Sequence, residues 1–130
     1  MNKIFCFAII LLTVSCKNNE AQRESEQLIC TLQYVTYTVE LSTEPLTNFY
    51  TLYVATRDTI RFEDYNSSDR FYPILDDRFT AELIDKKEDF IFVGQVGNEQ
   101  LRIPYVFTSD RCHIVKVSGP ERYPENSPQK

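Results

Sequence analysis

The sequence predicts an all-β protein, a small antiparallel β-sandwich of about seven strands. Three observations support this prediction. Apolar and polar residues alternate with a period of two through most of residues 28–118, as in half-buried strands. Turn-forming residues separate these runs at short intervals. Phe and Tyr, which favour strands, number nine and eight in the 130-residue chain.

The alternation also places the individual strands. Apolar residues recur at even positions over 28–34 and at odd positions over 35–41, which predicts a bulge near 34–35 or a strand that changes sheets. Pro73 marks the strand at 71–75 as an edge strand, and the apolar run at 90–93 suits a central strand. The remaining strands are predicted at 49–55, 59–62, 101–107 and 112–118.

Residues 78–85 fit two different periods. Apolar side chains at 79, 81 and 83 alternate with polar ones, as in a strand. Residues 79, 83 and 84 would also share one face of a helix, and Asp76 or Asp77 would cap it. We predict a strand here because the surrounding segments are all β.

The first 16 residues have the organisation of an export signal. Lys3 precedes an apolar run of about a dozen residues, which is too short for a bilayer span of about 20 residues. The junction Leu12-Thr13-Val14-Ser15-Cys16 resembles the lipobox of bacterial lipoproteins. This resemblance implies a signal peptide at 1–15 and attachment of diacylglycerol and a further acyl chain, such as palmitate, to Cys16.

Residues 17–27 contain almost no apolar side chain, which predicts a flexible tether that begins at the lipidated Cys16 and extends to residue 27. The segment Cys16-Lys17-Asn18-Asn19-Glu20 resembles the lysine-plus-acid export signals of surface lipoproteins in the Bacteroidetes. The resemblance implies an outer-membrane protein exposed at the cell surface. One alternative is a lipoprotein that faces the periplasm. Another is an ordinary secretory signal, with Cys16 as a buried or paired thiol.

The two ends of the predicted domain follow from composition. Residues 119–130 contain three prolines and predict an irregular tail, which leaves 28–118 for the sandwich. The motifs Phe90-Ile91-Phe92-Val93, Val96-Gly97-Asn98 and Asp110-Arg111-Cys112-His113-Ile114 resemble the C-terminal half of carboxypeptidase-regulatory-like, transthyretin-like sandwiches of bacterial lipoproteins. In these domains a second cysteine often precedes the first strand, where this chain has Cys30. The resemblance implies a non-catalytic accessory module.

The four cysteines have different predicted roles. Cys6 lies in the signal peptide and Cys16 takes the lipid, so Cys30 and Cys112 remain in an oxidising compartment. An even remainder there favours a Cys30–Cys112 disulfide between the two ends of the domain, and two buried thiols are the alternative. A catalytic pair of Cys112 and His113 is disfavoured, because neighbouring strand residues point to opposite faces.

Other polar residues carry functional hypotheses beside plainer ones. We predict that His113, the only histidine, is a packed or hydrogen-bonded strand residue rather than a ligand. Residues 63–69 offer alternating oxygen ligands but lack the glycine and final glutamate of an EF-hand, which predicts a solvated loop and no metal. The pair Asp76-Asp77 predicts a turn rather than an acid and a base.

Two further features concern the surface. Asp58-Thr59-Ile60 resembles the O-glycan acceptor of exported Bacteroidetes proteins, which makes Thr59 a candidate acceptor. Most aromatic residues are expected in the core, and an exposed subset drawn from Tyr34, Tyr50 and Tyr65 is a candidate surface for sugars or a partner protein.

Composition narrows the class of function. The net charge of −5 argues against a nucleic-acid binder, and a single histidine excludes a multi-histidine metal site. No sequence motif indicates a cofactor. We therefore predict a monomeric, non-enzymatic binding module for an envelope protein or a glycan. The alternatives are a small hydrolase that uses acidic residues and an inhibitor or immunity-type protein that acts on a secreted enzyme.

The lipid anchor is directly testable. Cells that express the protein should incorporate radiolabelled palmitate into it, and Cys16→Ala should abolish the label because the acylated thiol is lost. Cys6→Ala is the matched control and should leave the label unchanged. Label that persists in Cys16→Ala, or that never enters the wild type, would contradict the prediction.

Overall fold

A computed structural model describes residues 29–65 and 70–124 of the chain, and the predicted signal peptide, Cys16 and the tether lie outside these ranges. The described chain is almost all β, with one 3₁₀ helix at Asp77–Phe79. The strands are β1 (Thr36–Leu41), β2 (Asn48–Tyr53), β3 (Thr59–Ile60), β4 (Phe71–Asp76), β5 (Glu88–Val96), β6 (Glu99–Ser109), β7 (Ile114–Ser118) and β8 (Arg122–Tyr123).

The strands form two sheets, which confirms the predicted β-sandwich class. The small sheet has the order β4-β1-β8, and the large sheet has the order β3-β2-β5-β6-β7. All pairings are antiparallel except β1 with β8. As the sequence predicted, β4 with Pro73 lies at a sheet edge and β5 is the central strand of the large sheet.

The largest side chains in the core between the sheets are aromatic. Phe90, Phe92 and Phe107 of the large sheet are fully buried, and Tyr72 of the small sheet is 2% exposed. The Phe90 ring stacks on Tyr53 with 4.6 Å between ring centroids. Each such side chain contributes about 1.5–3 kcal/mol on burial, so these rings are a major source of the stability of the domain.

The segment before β1 differs from the prediction, because 29–35 do not form a strand. The Val35 N–H donates to the Asp77 carboxylate instead of to a neighbouring strand. The pairing of β1 with β4 shifts register at Tyr37 and Thr38, not near 34–35. There β4 has one extra residue, so Ile74 and Leu75 are both fully buried.

The prediction of a strand at 78–85 is wrong. Asp76 ends β4 and caps the 3₁₀ helix, since its carboxylate accepts the Arg78 N–H at 3.1 Å. Turns continue from the helix to an isolated bridge at Ile84, and Leu83 is fully buried. The Asp76 cap and the burial of Leu83 therefore favour a turn over the strand that the alternating pattern predicts.

The described part of the predicted irregular tail, residues 119–124, contains a short strand. Residues 122–123 form β8 beside β1, and the Glu40 N–H donates to the Glu121 carbonyl at 2.8 Å. The Tyr105 hydroxyl donates to the Pro120 carbonyl at 2.8 Å. Gly119 has φ +118, and a side chain there would collide with the Tyr105 ring. A glycine at this position thus lets the chain cross the ring and reach the small sheet.

One buried hydroxyl provides a test of the core. Thr51 is fully buried, and its Oγ1 has no hydrogen-bond partner among the described residues. An unpaired buried hydroxyl costs about 1–3 kcal/mol, so Thr51→Val should raise the free energy of unfolding by about 1 kcal/mol. Urea denaturation followed by circular dichroism measures this change. Thr38→Val on the exposed side of β1 is the control, and an equal or larger gain there would contradict the assignment.

Candidate functional site

The outer face of the small sheet forms a groove. Two adjoining cavities of about 700 and 520 Å³ lie on this face and share Thr38 and Phe71. We call them together the small-sheet groove. The larger cavity is lined by Thr38, Arg61, Phe62, Glu63, Asp64, Tyr65, Phe71, Pro73, Asp76 and Arg78. The smaller cavity is lined by Thr36, Tyr37, Thr38, Glu40, Phe71, Lys116, Glu121 and Arg122.

The floor of the groove follows from the period of two in β1. Val39 and Leu41 are buried in the core, so Thr36, Thr38 and Glu40 point to the opposite face. Phe71 begins β4 opposite Glu40 and is 55% exposed. The groove therefore has a row of polar side chains beside one large exposed aromatic ring.

One end of the groove is formed by Arg78 and its neighbours. Arg78 Nε lies 2.9 Å from Asp76 Oδ1, and the Arg78 guanidinium carbon lies 5.2 Å from the centre of the Phe62 ring. Tyr34 lies beside this pair and is 59% exposed. Burial, followed by the charge and hydrogen bond of Asp76, raises the pKa of Tyr34, so its phenol is protonated at neutral pH.

The other end of the groove has two further ion pairs. Arg122 nitrogens lie 2.6 and 2.7 Å from Glu40 Oε2, and Lys116 Nζ lies 3.2 Å from Glu121 Oε1. Three of the four cations that line the groove, Arg78, Lys116 and Arg122, thus form ion pairs with carboxylates. Such an arrangement orients donors and acceptors side by side rather than creating a strong field of one sign.

Several polar groups of the groove remain available to a ligand. The hydroxyls of Thr36 and Thr38 have no hydrogen-bond partner within 29–65 and 70–124. The carboxylates of Glu63 and Asp64 at the rim likewise have no hydrogen-bond or ion partner in those ranges. These four side chains offer both hydrogen-bond donors and acceptors.

A second polar cluster fastens the segment before β1. Asp77 Oδ2 lies 2.8 Å from His113 Nδ1 and accepts the Val35 N–H at 2.8 Å, while Oδ1 accepts the Ile114 N–H at 3.0 Å. His113 Nε2 lies 2.9 Å from Thr31 Oγ1. Burial alone would raise the pKa of Asp77, but hydrogen bonds from His113, Val35 and Ile114 outweigh it and lower the pKa.

This cluster has the order hydroxyl, imidazole and carboxylate that occurs in some nucleophilic hydrolases. Thr31 is exposed, and none of Thr31, Asp77 and His113 lines the small-sheet groove. The Asp77 carboxylate is occupied by three donors, from Val35 before β1 and from the consecutive residues His113 and Ile114. We therefore assign the cluster a structural role.

The turn before β7 positions His113 for these contacts. Asp110 Oδ1 accepts the N–H groups of Cys112 at 3.0 Å and His113 at 2.8 Å. These two hydrogen bonds favour the ionised carboxylate and so lower the pKa of Asp110, and the bond from the His113 N–H has the larger effect. Cys112 forms a disulfide with Cys30, as the sequence favoured. The bond closes an 82-residue separation, and cross-links of such span contribute about 4 kcal/mol through chain entropy.

The structure places the other candidate residues as follows. His113 is hydrogen-bonded, as predicted, although it precedes β7 instead of lying within it. Asp76 and Asp77 begin the 3₁₀ turn and have separate partners. Thr59 lies in β3 and is exposed, as an O-glycan acceptor must be. Tyr34 is exposed, while Tyr50 and Tyr65 are partly buried.

The predicted loop at 63–69 contributes to the groove. Its described part, Glu63 to Tyr65, lines the larger cavity, and residues 66–69 lie outside the described ranges. No group of three or more metal-ligating side chains occurs among the described residues. Within the same residues, the helical part is too short and polar to cross a bilayer.

Sequence reasoning missed the residues that define the groove. Phe71, Arg78 and Arg61 all lie in predicted strands, and no motif distinguishes them. No local signal selects them, because the groove combines β1 and β4 of one sheet with residues 61–65, which follow a strand of the other sheet. The one available signal was a large apolar residue, Phe71, at the start of a predicted edge strand.

Comparisons of the chain with protein-family models, with curated proteins and with solved structures give no match.

The Asp77 cluster predicts a specific acid sensitivity. Because folding lowers the pKa of Asp77 below its usual 3.8, the carboxylate stabilises the fold above about pH 4, and this contribution is lost as the pH falls further. Asp77→Asn should cost about 1–3 kcal/mol at pH 7 and should flatten the stability profile below pH 4. Urea denaturation at pH 7 and at pH 3 measures both effects.

The matched control is Asp64→Asn, which removes an exposed carboxylate without partners among the described residues. It should leave stability at pH 7 unchanged within about 0.5 kcal/mol. An Asp77→Asn variant as stable as the wild type at pH 7 would show that the cluster does not fasten the fold.

Proposed function

We propose that the protein is a lipid-anchored, non-catalytic binding module of the outer membrane, exposed at the cell surface, and that the small-sheet groove is its binding face. The observation that carries this proposal is the groove itself. This sheet face combines two adjoining cavities, an exposed aromatic ring and polar side chains without partners among the described residues, which are the features of a ligand site.

The size and chemistry of the groove support recognition. Its cavities of about 700 and 520 Å³ fall within the range of about 300–1,000 Å³ typical of ligand sites. The Asp76 and Glu40 carboxylates are held by Arg78 and Arg122, so these side chains have defined positions before a ligand arrives. Preorganised polar groups lose less entropy on binding.

The predicted anchor supports a role close to the membrane. Eleven tether residues at 17–27 would place the domain about 17–20 Å from the lipid. Cleavage of the signal removes Lys3, so the net charge changes from −5 to −6, and anionic lipid heads would repel the domain. A monomeric domain held in this way would meet a glycan or an envelope protein rather than lie on the bilayer.

Photocrosslinking in intact cells tests the binding face. A benzoylphenylalanine at Thr38, on the floor of the groove, should give a specific adduct with a cell-surface component. The same residue at Arg102, which is exposed on β6 of the large sheet, is the matched control and should give none. Adducts of equal yield at both positions, or none at Thr38, would contradict the assignment of the groove.

A further inference from the structure

We infer that the ligand of the small-sheet groove is a neutral, polyhydroxylated chain, that is, a short neutral glycan. This inference rests on the proposed function of the groove as a binding face. Three properties of the groove lead to it: balanced charge, an exposed aromatic platform and a mixed set of free donors and acceptors.

The charge of the lining disfavours an ionic ligand. Four cationic side chains, those of Arg61, Arg78, Lys116 and Arg122, line the two cavities. Five carboxylates face them, and three of these five form ion pairs with the cations. A polyanion would meet Glu63 and Asp64, and a polycation would meet the arginines. The nearly neutral lining therefore complements an uncharged ligand.

Phe71 provides a platform at the centre of the groove. It lines both cavities and is 55% exposed, although its neighbour Tyr72 is buried. The face of an aromatic ring carries partial negative charge, and the C–H groups on one face of a sugar ring carry partial positive charge. Tyr34, 59% exposed near Asp76, offers a second ring at the far end of β4, about 16 Å away along the strand.

The free polar groups suit hydroxyls better than any single ionic group. Thr36 and Thr38 lie two residues apart on one face of β1, so their hydroxyls are about 7 Å apart. Glu63 and Asp64 at the rim accept hydrogen bonds, and the arginines donate them. A sugar hydroxyl both donates and accepts hydrogen bonds, so adjacent hydroxyls of one saccharide chain can pair with these donors and acceptors.

The groove is less suited to an extended peptide. A peptide strand would add to the free edge of β4, where main-chain N–H and carbonyl groups provide the affinity. Pro73 lies in the middle of β4 and has no N–H to donate. The exposed face of the sheet, in contrast, presents side chains, which are what a saccharide recognises.

Affinity electrophoresis of the full-length lipoprotein in detergent micelles tests the inference. The probes are four neutral polysaccharides (soluble starch, mannan, xylan and xyloglucan) and two anionic ones (polygalacturonate and heparin). At least one neutral probe should retard the protein, and neither anionic probe should. Phe71→Ala should raise the Kd for that neutral polysaccharide at least about tenfold, because the aromatic platform is lost. Leu32→Ala, another exposed apolar side chain that lies outside the groove, is the control and should not change it.

The possible results separate this inference from the proposed function. Unchanged circular dichroism of Phe71→Ala would show that the loss comes from the groove and not from unfolding. No retardation by any neutral probe, retardation by the anionic probes only, or equal binding by Phe71→Ala overturns the glycan inference. If benzoylphenylalanine in place of Thr38 nevertheless crosslinks to a protein in intact cells, the groove remains the binding face and its ligand is that protein.

Discussion

The part-buried carboxylate of Asp77 makes the hydrogen bonds on which much of this domain depends. It receives hydrogen bonds from the segment before β1, from the imidazole of His113 and from the first residue of β7. A part-buried carboxylate without these donors would be costly, so the ionised Asp77 holds its own turn to the segment before β1 and to the start of β7. The Cys30–Cys112 disulfide lies directly beside the cluster and joins two of the same segments covalently.

This arrangement also determines the shape of the groove. Asp77 begins the 3₁₀ helix, and the same turn directs Asp76 and Arg78 toward the outer face of the small sheet. The segment before β1 carries Tyr34 to the same end. The structural cluster and the candidate binding face thus share one turn of the chain. Adjacent residues, Asp76 and Asp77, serve the two different purposes because their side chains point in different directions.

Alternate side chains of β1 and β4 lie on opposite faces of the small sheet and have different roles. In β1 and β4 the inward side chains join an aromatic core, and the outward ones form the groove floor. The bulge in β4 alters this pattern, since it turns both Ile74 and Leu75 inward. It brings the outward set, Phe71, Pro73 and Asp76, into the spacing seen in the groove. A local irregularity therefore affects both stability and the candidate site.

Local sequence was sufficient to predict the fold class, the edge position of β4 and the central position of β5, because alternation and Pro73 act within a single strand. It also favoured the Cys30–Cys112 bond, since few thiols remained to pair. Local pattern failed at 78–85, where a cap and the buried Leu83 prevailed, and at 122–123, where β8 depends on β1 for its hydrogen bonds. The Asp77 cluster and the groove were decided only by tertiary structure, because their members are tens of residues apart in the chain and become neighbours when two sheets pack.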